Sequence, residues 1–150
     1  MESTPVKRYK TFEYHTQTHW IHDRVGSISS DGKPPVEVAS PPEFKGVAGK
    51  WTPEDLFVAA IEVCQMTTFL AFASRSTFVL KEYESSARGI LEFADGGYRF
   101  TKVILSPRIV VESGASEADV RQVVEDAHKS CLIGRSVTTT IEVEPSIEVS

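Results

Sequence analysis

Sulfur is scarce in this chain: 150 residues hold two cysteines and two methionines. Two cysteines cannot build the dense disulfide framework of small secreted domains, so the fold must be held by an ordinary core. A basic excess is missing as well. Sixteen Lys and Arg stand against 21 Asp and Glu, for a net charge of -5 at pH 7. That balance disfavours attraction to phosphate backbones and anionic lipid surfaces, which argues against a nucleic-acid partner. No tract is low in complexity, and no repeat recurs at solenoid or propeller period. The opening "MESTPVKRYK" lacks the apolar stretch of a signal peptide, and the longest apolar run, Leu56 to Ala73, is broken by Glu62, Gln65 and two threonines. It reads as too polar for a membrane span. No membrane partner and a cytoplasmic address are therefore expected. In that compartment a permanent structural disulfide is out of place, which leaves the cysteines as small core residues or as a redox or metal pair.

What is present suits one ordinary domain over residues 1–150, with 41% hydrophobic and 25% charged residues. Alternating apolar and polar residues predict a strand over Tyr9 to Ile21, a turn at Asp31-Gly32-Lys33 and a short strand after it. "SPPEFKGVAGK" reads as a loop. Thr52 then opens a helix, with Pro53 at its first position and Asp55 three residues on, running to about Ser74. Apolar residues cover most of its circumference, which predicts burial on nearly all sides, as the central helix of the fold or at a subunit interface. Two long β-rich segments follow, joined by a hairpin at Asp95-Gly96-Gly97. A second capping box, Ser116 with Asp119, starts a helix that ends near Cys131, and "SVTTTIEVEPSIEVS" reads as one more strand with Pro145 at a bulge or edge. Strands separated by two helices without regular alternation indicate an α+β fold.

Two stretches then carry a family resemblance. "WTPEDLFVAAIEVCQ" is similar to the helix-opening signature of the OsmC/Ohr thiol peroxidases, and "AHKSCLIGRS" resembles the motif around that family's second cysteine. The strands "GGYRFTKVIL" and "VTTTIEVEP" fall in the family's order. The resemblance implies antiparallel sheets around a long buried central helix and an intertwined homodimer. It also implies reduction of organic hydroperoxides by Cys64 and Cys131, with an external dithiol, lipoyl or other, as reductant and no metal or organic cofactor. Glu54 matches a glutamate that holds an arginine lowering the cysteine pKa. In one branch of the family that arginine lies near the N-terminus, where Arg24 is the counterpart. In the other it lies in the loop before the helix, where this chain has Lys45 and Lys50. Leu132 stands where the family commonly has proline.

The residues constrain these roles independently. A thiol buried among apolar groups has a raised pKa, so a reactive Cys64 calls for a neighbouring positive charge. Ten residues of helix span about 15 Å, so Glu54 reaches a site at Cys64 only from a second subunit. Otherwise it merely complements the dipole of its own helix. Glu62 sits about 200° around the helix from Cys64 and reads as a solvent-facing or interface carboxylate. His128 and Cys131 share a helix face, yet no fourth metal ligand is evident. A different class of function fits the same scaffold: a non-catalytic module that binds a small hydrophobic ligand.

Overall fold

The computed structural model describes residues 3–150; Met1 and Glu2, the first residues of the stretch read as having no signal-peptide core, lie outside them. The chain divides into two compact units, one ending at Pro53 and the other Glu54–Ser150.

The first unit is a three-stranded antiparallel sheet in chain order: β1 (Gln17–His22), β2 (Val25–Ser29) and β3 (Val36–Ala39). The strand expected from Tyr9 is thus shorter, because residues before Gln17 find no ladder partner and propensity alone does not make a strand. The predicted turn is present, with the Lys33 N–H donating to the Ser30 carbonyl at 3.1 Å.

In the second unit, α1 (Pro53–Ala73) and α2 (Glu117–Ser130) cover a mixed sheet. Its strands are β4 (Leu80–Ala94), β5 (Gly97–Val111), β6 (Thr140–Val143) and β7 (Ser146–Val149). β4 and β5 are antiparallel through a two-residue Asp95-Gly96 turn, both residues at positive φ. This sheet is mixed rather than antiparallel throughout. The last segment splits into β6 and β7, which run parallel to β5 one after the other. The break falls at Pro145, beside Pro107 of β5, where neither residue has an N–H to give a ladder.

Alternate β5 residues Val103, Leu105, Ile109 and Val111 are fully buried beneath the helices. Between Ile90 and Leu91 of β4 the register shifts, their partners being Lys102 and Phe100, which leaves Thr101 unpaired as a bulge. That slip turns Phe100 towards α1, where its ring stacks on Phe57 with centroids 4.8 Å apart. Gly89 makes the stack possible, since a Cβ there would stand 2.6 Å from Val58 and 2.9 Å from the Phe100 ring.

On α1 the residues buried outright are Ile61, Gln65, Phe69 and Ala73, one stripe at i, i+4 spacing. Burial on nearly all sides does not occur within one chain: Ala60, Val63, Thr67, Leu70 and Ala71 are exposed. By length and composition α1 is apolar enough to cross a membrane, with mean hydropathy 1.8, despite the polar residues read as excluding a span. Its buried stripe nonetheless packs on β5 and α2. Gln65 donates to the Val124 carbonyl of α2 at 3.3 Å, tying together the two helices that carry the cysteines.

Candidate functional site

Cys64 and Cys131 are brought together from α1 and from the residue that ends α2. The Ser116 side chain caps α2 by accepting from the Asp119 N–H at 3.4 Å, as its spacing predicts. The helix stops at Cys131, whose φ and ψ are extended. The chain then turns tightly, with the Arg135 N–H donating to the Cys131 carbonyl and the Gly134 N–H to Cys131 Sγ at 3.3 Å. Both thiols are free; Cys64 is half-buried and Cys131 buried.

Their protonation is pushed in opposite directions. Burial is the largest influence on Cys64 and raises its pKa. The Cys131 thiol, the Ile133 N–H, the Thr68 hydroxyl and the Leu132 N–H outweigh it by donating to the sulfur, and hold Cys64 below the ordinary 9.0. Cys131 is pushed up to about 11, first by burial and then by donating its S–H hydrogen bond to the Cys64 thiolate. Within the chain, hydrogen-bond donors rather than a cation make Cys64 acidic, a departure from the expectation of a neighbouring positive charge.

Three contributors to Cys64 carry little signal in the sequence. Thr68 lies one helical turn beyond Cys64, Oγ1 to Sγ 3.9 Å, and the i, i+4 spacing was the available signal. The Leu132 and Ile133 N–H groups become donors only because the chain turns after Cys131, which "CLIG" signals through its glycine.

The remaining candidates make other contacts. Glu54 opens α1 on the second unit, and its Oε2 is buried with no hydrogen-bond partner among the described residues. Arg24 belongs to the first unit, at the β1–β2 turn, where its guanidinium donates to the Phe44 carbonyl at 3.4 Å. Lys50 is paired with Glu37, and Lys45 is an exposed residue in left-handed conformation. Glu62 turns out to face β4 rather than solvent. It accepts from the Ser85 hydroxyl at 2.9 Å, and with burial it raises Tyr83 to about 12. Among the described residues no three His, Cys, Asp or Glu side chains are grouped to hold a metal ion.

The family model described as OsmC-like protein matches residues 46–146. An uncharacterized protein of Bacillus subtilis, YmaD, is 25% identical over 136 residues, 87% of this chain and 90% of that protein. An OsmC-like protein of unknown function from Vibrio cholerae superposes with a TM-score of 0.82 at 27% identity, covering 90% of this chain and 99% of that one. An organic hydroperoxide resistance protein from Legionella pneumophila shares the fold, with a TM-score of 0.71 at 22% identity over 91% of this chain and 97% of its own. The model spans both cysteines, α1 and the whole β4–β5 hairpin, and so the chain belongs to the OsmC-like protein family.

Proposed function

We propose that this protein is a cytoplasmic, homodimeric thiol peroxidase that reduces organic hydroperoxides through Cys64 and Cys131. One observation carries the reading: two free thiols brought side by side, Cys64 half-buried with the Thr68 hydroxyl and backbone N–H donors around it, Cys131 buried at the end of α2. That arrangement suits attack by Cys64 and resolution by Cys131.

The cycle balances on these groups. The Cys64 thiolate attacks the terminal oxygen of ROOH and breaks the O–O bond. Sulfur gains OH and is oxidised, while RO⁻ leaves and takes a proton from solvent to become ROH. Cys131 sulfur then attacks the Cys64 sulfenic acid. Its own thiol proton, already directed at Cys64, leaves with the hydroxyl as water, and a disulfide forms. An external dithiol, lipoyl or other, reduces the disulfide by exchange and is itself oxidised.

The dimer is supported by the uncharged exposed stripe on α1 and by the orphaned Glu54 Oε2, a buried carboxylate oxygen that has no donor among the described residues. Arg24 of a second copy is the donor assigned to it. The test is peroxide consumption with cumene hydroperoxide and dihydrolipoamide. Cys64→Ser should abolish even a single turnover, whereas Cys131→Ser should complete one and leave a trappable sulfenic acid on Cys64. Turnover retained in Cys64→Ser would overturn the assignment and favour the ligand-binding reading instead.

A further inference from the structure

Gln65 is the polar member of the buried α1 stripe. It is 2% exposed, and its neighbours one turn away on either side, Ile61 and Phe69, are fully buried and apolar. Ile61 packs into one apolar cluster with Val103 and Leu105, while Phe69 belongs to another with Val120, Val124 and Ala127. A polar side chain thus sits where the core passes from one cluster to the other. Its amide is only half satisfied. Nε2 donates to the Val124 carbonyl at 3.3 Å, whereas Oε1 is buried with no hydrogen-bond partner among the described residues. An unmet buried acceptor costs stability, and an apolar residue of similar length would carry no such penalty. Stability therefore does not account for a glutamine here.

Its place in the chain does. Gln65 follows Cys64 directly, so whatever holds Gln65 also holds the α1 backbone at the thiol. Val124 and the α2 cap Cys131 are seven residues apart, nearly two turns, so they share a helix face about 10 Å apart. Val124, Ala127 and Cys131 are all buried along that face. A helical carbonyl already paired within its helix keeps a second lone pair for a side-chain donor. The Gln65 bond therefore fixes the slide and rotation of the α2 face that ends in Cys131 against the residue beside Cys64. The apolar contacts around it are non-directional and set no such register.

We infer that Gln65 is a positioning residue for the thiol pair: its hydrogen bond to α2 sets the register in which Cys131 meets Cys64, and so governs how readily the two sulfurs join. Its part in peroxide turnover rests on the peroxidase reading above; its part in disulfide formation by another oxidant does not.

The experiment equilibrates the full-length protein with glutathione. The two protein thiols give two electrons and two protons to one oxidised glutathione, leaving the Cys64–Cys131 disulfide and two reduced glutathione molecules. Gln65→Met keeps the side-chain length and helix propensity and removes both polar atoms. It should shift this equilibrium about tenfold towards the dithiol, one buried hydrogen bond having acted on the geometry of the pair. Gln65→Leu should do the same. Val120→Ala loosens the same α2 face without touching the bond, so it should lower Tm and leave the equilibrium in place. A residue that merely stabilised the fold would behave like Val120, since it supports the dithiol and the disulfide forms alike. An unchanged equilibrium in both Gln65 variants, or an equal shift in Val120→Ala, would overturn the inference. With cumene hydroperoxide, the Cys64 sulfenic acid should last about tenfold longer in Gln65→Met than in wild type, read by timed dimedone trapping. If wild type consumes no peroxide but its glutathione equilibrium still depends on Gln65, the peroxidase reading falls and the positioning role stands. If peroxide is consumed and the sulfenic acid lasts equally long in both, the positioning role falls alone.

Discussion

Alkylation of the two thiols should separate them clearly, and the expected ratio follows from their surroundings. With a pKa of about 11, Cys131 carries about one thiolate in a thousand at pH 8, whereas a thiol at 9.0 carries about one in ten and Cys64 lies below that value. Ionisation alone thus favours Cys64 by about a hundredfold or more. The lower-pKa thiolate is intrinsically less nucleophilic, which returns about a factor of ten over two pKa units. Cys131 is also 3% exposed, so access acts in the same direction as ionisation. The expected outcome is modification of Cys64 at least about tenfold faster than Cys131 at pH 8, measured by timed iodoacetamide pulses with peptide mass spectrometry.

The pH profile carries the sharper test. The Cys64 rate should reach half its plateau below pH 9, while the Cys131 rate should keep rising through about pH 11. In Cys64→Ser the thiolate that raises Cys131 is gone and burial remains, so the Cys131 midpoint should move down. In Cys131→Ala the Cys64 midpoint should move up, because a donor to its thiolate is lost. Cys131 reacting as fast as Cys64, or a Cys131 midpoint indifferent to Cys64→Ser, would refute the coupling. The same displacement has a stability consequence of definite sign. The folded-state pKa of Cys131 lies above the ordinary thiol value, so its contribution favours the folded state below pH 9 and is lost as pH rises through about 11.

Val63→Glu, on the exposed α1 stripe, should convert the protein to a monomer in sedimentation at micromolar concentration; a wild-type protein already monomeric there would remove the dimer and Glu54 from the site together. Arg24→Ala should raise the Cys64 pKa and slow its alkylation at neutral pH, and Glu54→Gln should do the same more weakly; unchanged kinetics in both would transfer the role to Lys45 or to hydrogen bonding alone. Gly89→Ala should destabilise by about 1–3 kcal/mol, because its Cβ meets Val58 and the Phe100 ring, and should lower Tm by roughly 3–10 °C in calorimetry.

Local chemistry made much of this fold legible. The Ser116–Asp119 cap, the Pro53 helix start and the Asp95-Gly96 turn each depend on a few adjacent residues, and each lies where its spacing predicts. The failures share a different cause. Whether Tyr9 to Thr16 joins a strand depends on a ladder partner elsewhere, and the direction of β6 and β7 depends on which edge of β5 lies open, neither of which a propensity carries. Helix angle relative to Cys64 turns Glu62 away from the thiol but does not say what stands opposite it, here Ser85 and Tyr83. The site divides along the same line. Cys64 and Cys131 were legible as a pair, but what makes Cys64 acidic was not, since backbone N–H groups have no letter in a sequence and become donors only when a turn aims them. In the proposed cycle the thiolate is already favoured by Cys131, Ile133, Thr68 and Leu132, so a cation from Arg24 of a second copy would serve mainly to orient the peroxide and stabilise the departing alkoxide, a demand that arises only in the transition state.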